Sequence, residues 1–484
     1  MSSLKRFFKD TFIYGLASVL PRLINFGLVA VYSSVFDTSE FSTQTVWYIY
    51  AAFLNVVLTM GMETAFFRFY TTQSDKSKVI SSSFILLVIS ASCFLLLSYL
   101  FANELTVFFE FEKSAFLKLL VWTTFLDTLV VIPFAYLRVT GRPLKFLFLK
   151  TANVLFLVVV VVLLLITIPK LIKTGSNWPS WLGFSDSYKP DVIHIFIANV
   201  AASAFTFLCL APYFFKINWF WDRSLIKRLL QYGLPIMIGG LAYVVNENAD
   251  KLMLAQINPD DNGIYSACYK LGVFMTLYIT AFRLGAEPFF FNHAGTSDAK
   301  VKYAKIMTWF VILGGCFMLG VVVFLDFFAQ IFLKNQVYWQ GLMIVPIILL
   351  ANLFSGIYNN LSIWYKLTDQ TRFGMGISIF GAFITVISLW VLLPKFGIIG
   401  GAYATLFAYV IMALISWYLG QKYYPVPYEN IKIIAAITLA SGFSAISFIY
   451  FRNNMVVGIL LMITYLGFIL VMVKKDVQAL LSKK

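Results

Sequence analysis

Uncharged apolar runs long enough to cross a bilayer recur along this chain, each closed by a short cluster of Lys and Arg. Residues 154–168 are extreme: fifteen consecutive positions whose only polar side chain is Thr167. A helix apolar on every side is a membrane span or a deeply buried core element. About 20 such residues cross the hydrocarbon layer. The runs are continuous, so they do not suit an outer-membrane barrel, whose strands alternate. Hydrophobic residues make up 60% of the chain and charged residues 12%, against roughly 45–50% and 25% in soluble domains. That balance excludes a water-soluble enzyme, and it excludes disorder, which needs low hydrophobicity and high charge. The expectation is an all-α polytopic membrane protein.

The hydropathy pattern predicts fourteen spans, at about 12–35, 43–67, 78–102, 115–137, 144–168, 191–214, 229–256, 263–291, 303–325, 341–365, 373–393, 397–420, 431–450 and 455–473. With the N-terminus inside, 25 basic residues fall at cytoplasmic helix ends and 8 on the opposite side. That asymmetry places both termini in the cytoplasm, with the chain in the cytoplasmic (inner) membrane. The net charge of +15 follows from the same bias and does not call for nucleic acid. Lys5-Arg6-Phe7-Phe8-Lys9 leads directly into a full-length span, so the first helix reads as retained rather than cleaved. Cys93, Cys209, Cys268 and Cys316 sit in apolar stretches without CxxC spacing, which does not suit metal or redox work. The external loop 169–190 carries Trp178 and Trp181, a pair suited to anchoring at the headgroup level. His194 reads as interfacial.

Two segments repeat. Tyr14-Gly15-Leu16 and Tyr232-Gly233-Leu234 open spans one and seven. Gly61-Met62-Glu63-Thr64-Ala65-Phe66-Phe67 and Gly285-Ala286-Glu287-Pro288-Phe289-Phe290-Phe291 close spans two and eight, matching at four of seven positions. The expected organisation is an N-terminal lobe (1–214), a C-terminal lobe (215–420) related to it by duplication, and two additional spans with a tail (421–484). Parallel repeats of this kind serve transporters that rock between two states.

Charges inside spans cost at least ~2.5–3.5 kcal/mol each, so they must face a wet or protein-lined interior. They are Arg22, Lys251, Lys270, Arg283, Glu63, Asp127, Glu247, Asp250 and Glu287. All but Asp127 lie on spans one, two, seven and eight, and Asn25 is one turn from Arg22. Glu247 and Lys251 are i,i+4 neighbours, and Asp250 and Lys270 flank one hairpin, so structural pairs account for these four. Glu63 and Glu287 have Arg68 and Arg283 nearby in sequence. Arg22 and Asp127, both at mid-depth, have no sequence neighbour to neutralise them. Two readings stay open: they pair with each other, or each has its own function. No P-loop, GxSxG or His-rich metal site is present, so a transporter is expected rather than an enzyme, with no cofactor beyond a coupling H⁺ or Na⁺.

Three stretches carry a family resemblance. Gly61-Met62-Glu63-Thr64-Ala65-Phe66-Phe67-Arg68-Phe69-Tyr70, then Gly233-Leu234-Pro235 with Asn248-Ala249-Asp250-Lys251, then Asn262-Gly263-Ile264-Tyr265-Ser266 through Lys270 resemble the bacterial polysaccharide (O-antigen type) flippases. These belong to the multidrug/oligosaccharidyl-lipid/polysaccharide exporter superfamily. Lys251 departs from the Arg more usual there. The resemblance implies fourteen spans, and a substrate of oligosaccharide repeat units on undecaprenyl diphosphate, with membrane lipids and other polysaccharide-assembly proteins as partners. A diphosphate needs cations in a low-dielectric setting; Arg22, Arg283 and Lys270 are the candidates to bind it, and Asp127, Glu63, Glu287, Asp250 and Asn25 the candidates to line a cavity or couple an ion. The rival readings are a multidrug or cation antiporter of the same superfamily, and a membrane polymerase or glycosyltransferase.

Overall fold

In the computed structural model, the residues described are 3–175, 180, 183–214, 219–293, 296–368, 370–452 and 454–481; side chains are described for these except at 3–12, 287–288, 291–293, 473 and 475–481. Trp178 and Trp181 lie outside the described residues. Among those described, the regular structure is all helical, with no strand.

Among the described residues, twelve helices are long and apolar enough to cross a membrane. One of them, Arg372–Tyr423, is two helices joined at Gly397, whose φ of 53° and ψ of −134° break the run three residues after Pro394. Helix Pro259–His293, at 35 residues, is also long enough, though less apolar than the twelve. Dividing the first and adding the second gives about fourteen spans, as the hydropathy pattern predicts. The outward-facing residues fit a bilayer, not water: Trp390 is 74% exposed and Phe148 70%. In lipid such a surface is favourable, provided every backbone group is satisfied within its own helix.

The chain divides into two compact units, Met1–Asn248 and Ala249–Lys484, with the boundary inside helix Arg223–Ile257. The start of that helix buries Leu225, Ile226 and Leu229 against Met62, Ala65, Phe66 and Val79 of the first unit. This packing ties the helix's first turns to the residues before them.

In the first unit, helix Ser3–Val35 packs along Pro143–Val162, which packs on Ile193–Phe214, which packs on Ser114–Leu129. Helix Thr38–Thr59 starts with a reciprocal cap: Asp37 Oδ1 accepts from Glu40 N at 2.8 Å, and Glu40 Oε2 accepts from Asp37 N at 3.1 Å. Trp47 is fully buried, stacks on Phe196 at 4.5 Å, and donates its indole N–H to the Phe116 carbonyl at 3.1 Å. A buried indole needs that partner.

In the second unit, Val345–Leu361 packs against Arg372–Tyr423 and Pro259–His293, while Ala299–Val323 packs against Asn430–Tyr450 and Met455–Leu481. The last two helices are thus bound into this unit through Ala299–Val323.

Candidate functional site

The first unit encloses a cavity of about 550 Å³ lined by Asn55, Thr59, Glu63, Asp127, Lys150 and Asn153, with Phe134, Phe146 and Thr206 among the others. Local sequence explains its walls. Met60 (φ 48°) and Gly61 (φ 66°) form a left-handed pair that ends helix Thr38–Thr59 and restarts the chain as Met62–Thr72. Glu63 then falls in a first helical turn, where negative charge is favoured. Asp127 lies near the end of Ser114–Leu129, which gives way to Val131–Val139 just before Pro133. Thr124 and Thr128 return their hydroxyls to carbonyls one turn back, a contact that bends helices.

Four charged side chains meet here. Glu63 Oε1 accepts from Arg138 at 2.6 Å, with both side chains nearly half exposed at the rim. Asp127 Oδ1 accepts from the Ser203 hydroxyl at 2.7 Å and senses the charge of Lys150. Lys150 lies 4.3 Å over the Phe134 ring, and the Asp127 and Glu63 carboxylates both act on its charge. Asn153 donates to Thr206 Oγ1 at 2.8 Å and to the Ala202 carbonyl at 3.0 Å. Two acids are balanced by two bases here, so these four side chains together bring no net charge to the cavity.

The sequence pairs Glu63 with Arg68. In the fold Glu63 takes Arg138, while Arg68 lies 4.5 Å over the Tyr232 ring. Lys150 is the residue that sequence reasoning missed: counted at a helix end, it sits eight residues into Pro143–Val162 and lines the cavity. The available signal was Asn153, a second polar residue at i+3 on the same face. Arg22 and Asn25 are exposed on helix Ser3–Val35, past Pro21.

In the second unit, Asp250 is almost fully buried and accepts four hydrogen bonds. Its Oδ1 takes Lys251 N at 2.8 Å and Lys251 Nζ at 3.1 Å; its Oδ2 takes the Tyr265 hydroxyl at 2.6 Å and the Thr405 hydroxyl at 3.4 Å. Lys251 also lies 3.6 Å over the Tyr269 ring. The adjacent residue Lys251, not Lys270 across the hairpin, is the cation on this carboxylate. Lys270 lies close enough to sense the Lys251 charge. Arg283 is exposed beside a crevice of about 10 Å³ shared with Asn359, Asn360, Ser362 and Lys366. The Glu287 side chain lies outside the described residues.

Comparison with known proteins bears on this geometry. The structure is similar to "Lipid II flippase MurJ, inward closed conformation", with a TM-score of 0.75 at 14% identity, covering 96% of this chain and 100% of that one. It is similar to an "Inward-facing conformation of a multidrug resistance MATE family transporter of the MOP superfamily", with a TM-score of 0.66 at 12% identity, covering 88% and 96%. A MATE structure in complex with MaD3S gives a TM-score of 0.61 at 11% identity, covering 90% and 97%. At these identities the likeness establishes the fold. No curated protein matches the chain by sequence. A family model described as "Polysaccharide biosynthesis protein" matches residues 7–286, more than half of the 484, and the chain therefore belongs to that family, as a multi-pass helical membrane protein of MurJ- and MATE-like fold.

Proposed function

We propose that this protein is a flippase that carries undecaprenyl-diphosphate-linked oligosaccharide repeat units across the cytoplasmic membrane by alternating access, and that it makes and breaks no covalent bonds. The observation that carries the reading is the family match over residues 7–286. The likeness to a lipid II flippase over 96% of this chain and 100% of that one supports a lipid-linked substrate. Arg22 and Arg283 are the diphosphate-binding residues in this reading, with Lys270 adding positive charge. Arg suits a phosphate because its planar fork donates two parallel hydrogen bonds. Asp127 carries the coupling H⁺ or Na⁺ in the cavity that Glu63 also lines, and Asn25, Asp250 and Glu287 are the further polar residues proposed to take part. Both termini are cytoplasmic. The MATE-like fold favours one second reading, export of a hydrophobic cation; exposed arginines at 22 and 283 weigh against it.

The test is a glycan-export complementation assay with membrane levels measured alongside, paired with ethidium efflux from the same cells. Loss of one charge-assisted phosphate contact costs roughly 1.5–3 kcal/mol, about ten- to a hundredfold in affinity. Arg22→Ala should therefore abolish export at normal expression, and Arg22→Lys should restore part of it. Wild-type export from an Arg22→Ala, Arg283→Ala double variant would remove the diphosphate assignment. Ethidium efflux without glycan export would favour the antiporter.

A further inference from the structure

One face of the first unit gathers basic and aromatic side chains that the transport reading does not use. It is formed by the end of helix Met62–Thr72, the start of Lys76–Leu100, and the segment 219–228 that opens helix Arg223–Ile257. These pieces are in contact. Lys78 lies 5.0 Å over the Phe220 ring, Arg228 5.9 Å over Phe69, and Trp219 packs 5.9 Å from Phe84. Beneath them, Leu225, Ile226 and Leu229 are buried against Phe66 and Val79. The surface is therefore built on a packed base.

Its charge is one-sided. Residues 68–78 and 219–228 contain six cations, Arg68, Lys76, Lys78, Arg223, Lys227 and Arg228, against two acids, Asp75 and Asp222. Both acids are engaged by backbone. Asp222 Oδ1 accepts from Ser224 N and Leu225 N, each at 3.0 Å, and Asp75 Oδ1 accepts from Lys78 N at 3.2 Å. They cap their own helices, and six cations against two acids still leave an excess of four positive charges; among the described residues the one ion pair there, Lys78 to Asp75, is long at 3.9 Å. Alongside the cations, Trp219 is 66% and Trp221 57% exposed.

The height is set by length. Helix Arg223–Ile257 has 35 residues, about 52 Å at 1.5 Å per residue, while the hydrocarbon layer is about 30 Å thick. The helix is longer than the hydrocarbon layer, and the first turns, which carry Arg223, Lys227 and Arg228, are the end whose charge places it in the headgroup region. Trp partitions to that same depth.

We infer that this face, Lys78, Arg223, Lys227 and Arg228 with Trp219 and Trp221, is a docking surface for anionic phospholipid headgroups, the phosphates meeting the cations and the indoles seating at the acyl boundary. It is independent of which cargo the protein moves. Each cation near an anionic surface strengthens binding by roughly fivefold, the equivalent of about 1 kcal/mol.

The experiment uses the full chain in detergent, titrated with phosphatidylglycerol and phosphatidylcholine of identical acyl chains and read by native mass spectrometry. The wild type should retain phosphatidylglycerol in preference, and the preference should collapse at high salt because exposed charges are screened. Lys78→Gln, Arg223→Gln, Lys227→Gln and Arg228→Gln together should abolish it. Arg223→Lys with Arg228→Lys, which keeps the charge, should preserve it. Lys302→Gln with Lys305→Gln, in the second unit, should leave it unchanged and controls for the loss of basic charge elsewhere on the protein. Equal retention of both lipids by the wild type, persistence of the preference in the fourfold variant, or an equal loss in the Lys302/Lys305 variant would each overturn the proposal.

Discussion

At the residue scale, the buried ion pair of the second unit is the most exacting feature. Asp250 and Lys251 are 1% and 6% exposed, and breaking such a pair leaves an uncompensated charge, at a cost of roughly 3–5 kcal/mol. Lys251→Met should therefore lower the unfolding midpoint in detergent strongly, and Asp250→Asn with Lys251→Met should recover much of the loss. Equal damage from the single and double variants would mean that the pair is not the source of the cost. The first unit offers a contrast, because its charges line a cavity rather than a packed core. Asp127→Asn should leave expression near normal and stop net transport while substrate binding persists. Loss of the folded protein in that variant would make Asp127 a structural residue instead. The sequence showed that Asp127 sits at mid-depth, but it left Arg22 as the nearest cation to consider. Lys150, 23 residues further on, became visible only once Pro143–Val162 was packed against its neighbours.

At the element scale, the repeated Gly-x-Glu motif does two different jobs. Gly61 has φ +66°, and a Cβ there would meet the Gly233 carbonyl oxygen and the Ile236 side chain. Gly285, its sequence counterpart, sits inside helix Pro259–His293 with nothing within 4 Å of an added Cβ. Gly61→Ala combines left-handed strain with a backbone clash, and should destabilise the protein by about 1–3 kcal/mol. Gly285→Ala should be neutral, or stabilise by up to about 1 kcal/mol, because Ala is the better helix former. Thermal unfolding of the two variants side by side checks this; equal shifts would contradict it. Sequence identity located the motif at the end of spans two and eight. It did not show that the first copy turns the chain while the second continues a helix, because φ at a glycine is decided by what packs against it.

At the scale of the whole molecule, the hydropathy pattern predicts about fourteen spans and the helices agree, with the break at Gly397 separating two that run together in the chain. The 25-to-8 basic asymmetry carries the orientation. In a version lacking its four cysteines, Ser187→Cys should react with an impermeant thiol reagent from outside the cell, and Ser297→Cys only after the membrane is opened. External labelling of both would reverse the assignment. By itself the sequence determined that this chain lives in a membrane, about how many times it crosses, and which family it resembles. Those properties are sums over local windows, and in lipid the local rule is strict, since each span must be apolar and must satisfy its own backbone. Which charges meet was decided only by tertiary structure. Glu63 finds Arg138 75 residues away, and Asp250 meets Thr405 across 155. Such partners are set by which helix faces pack together, and no local window contains that information.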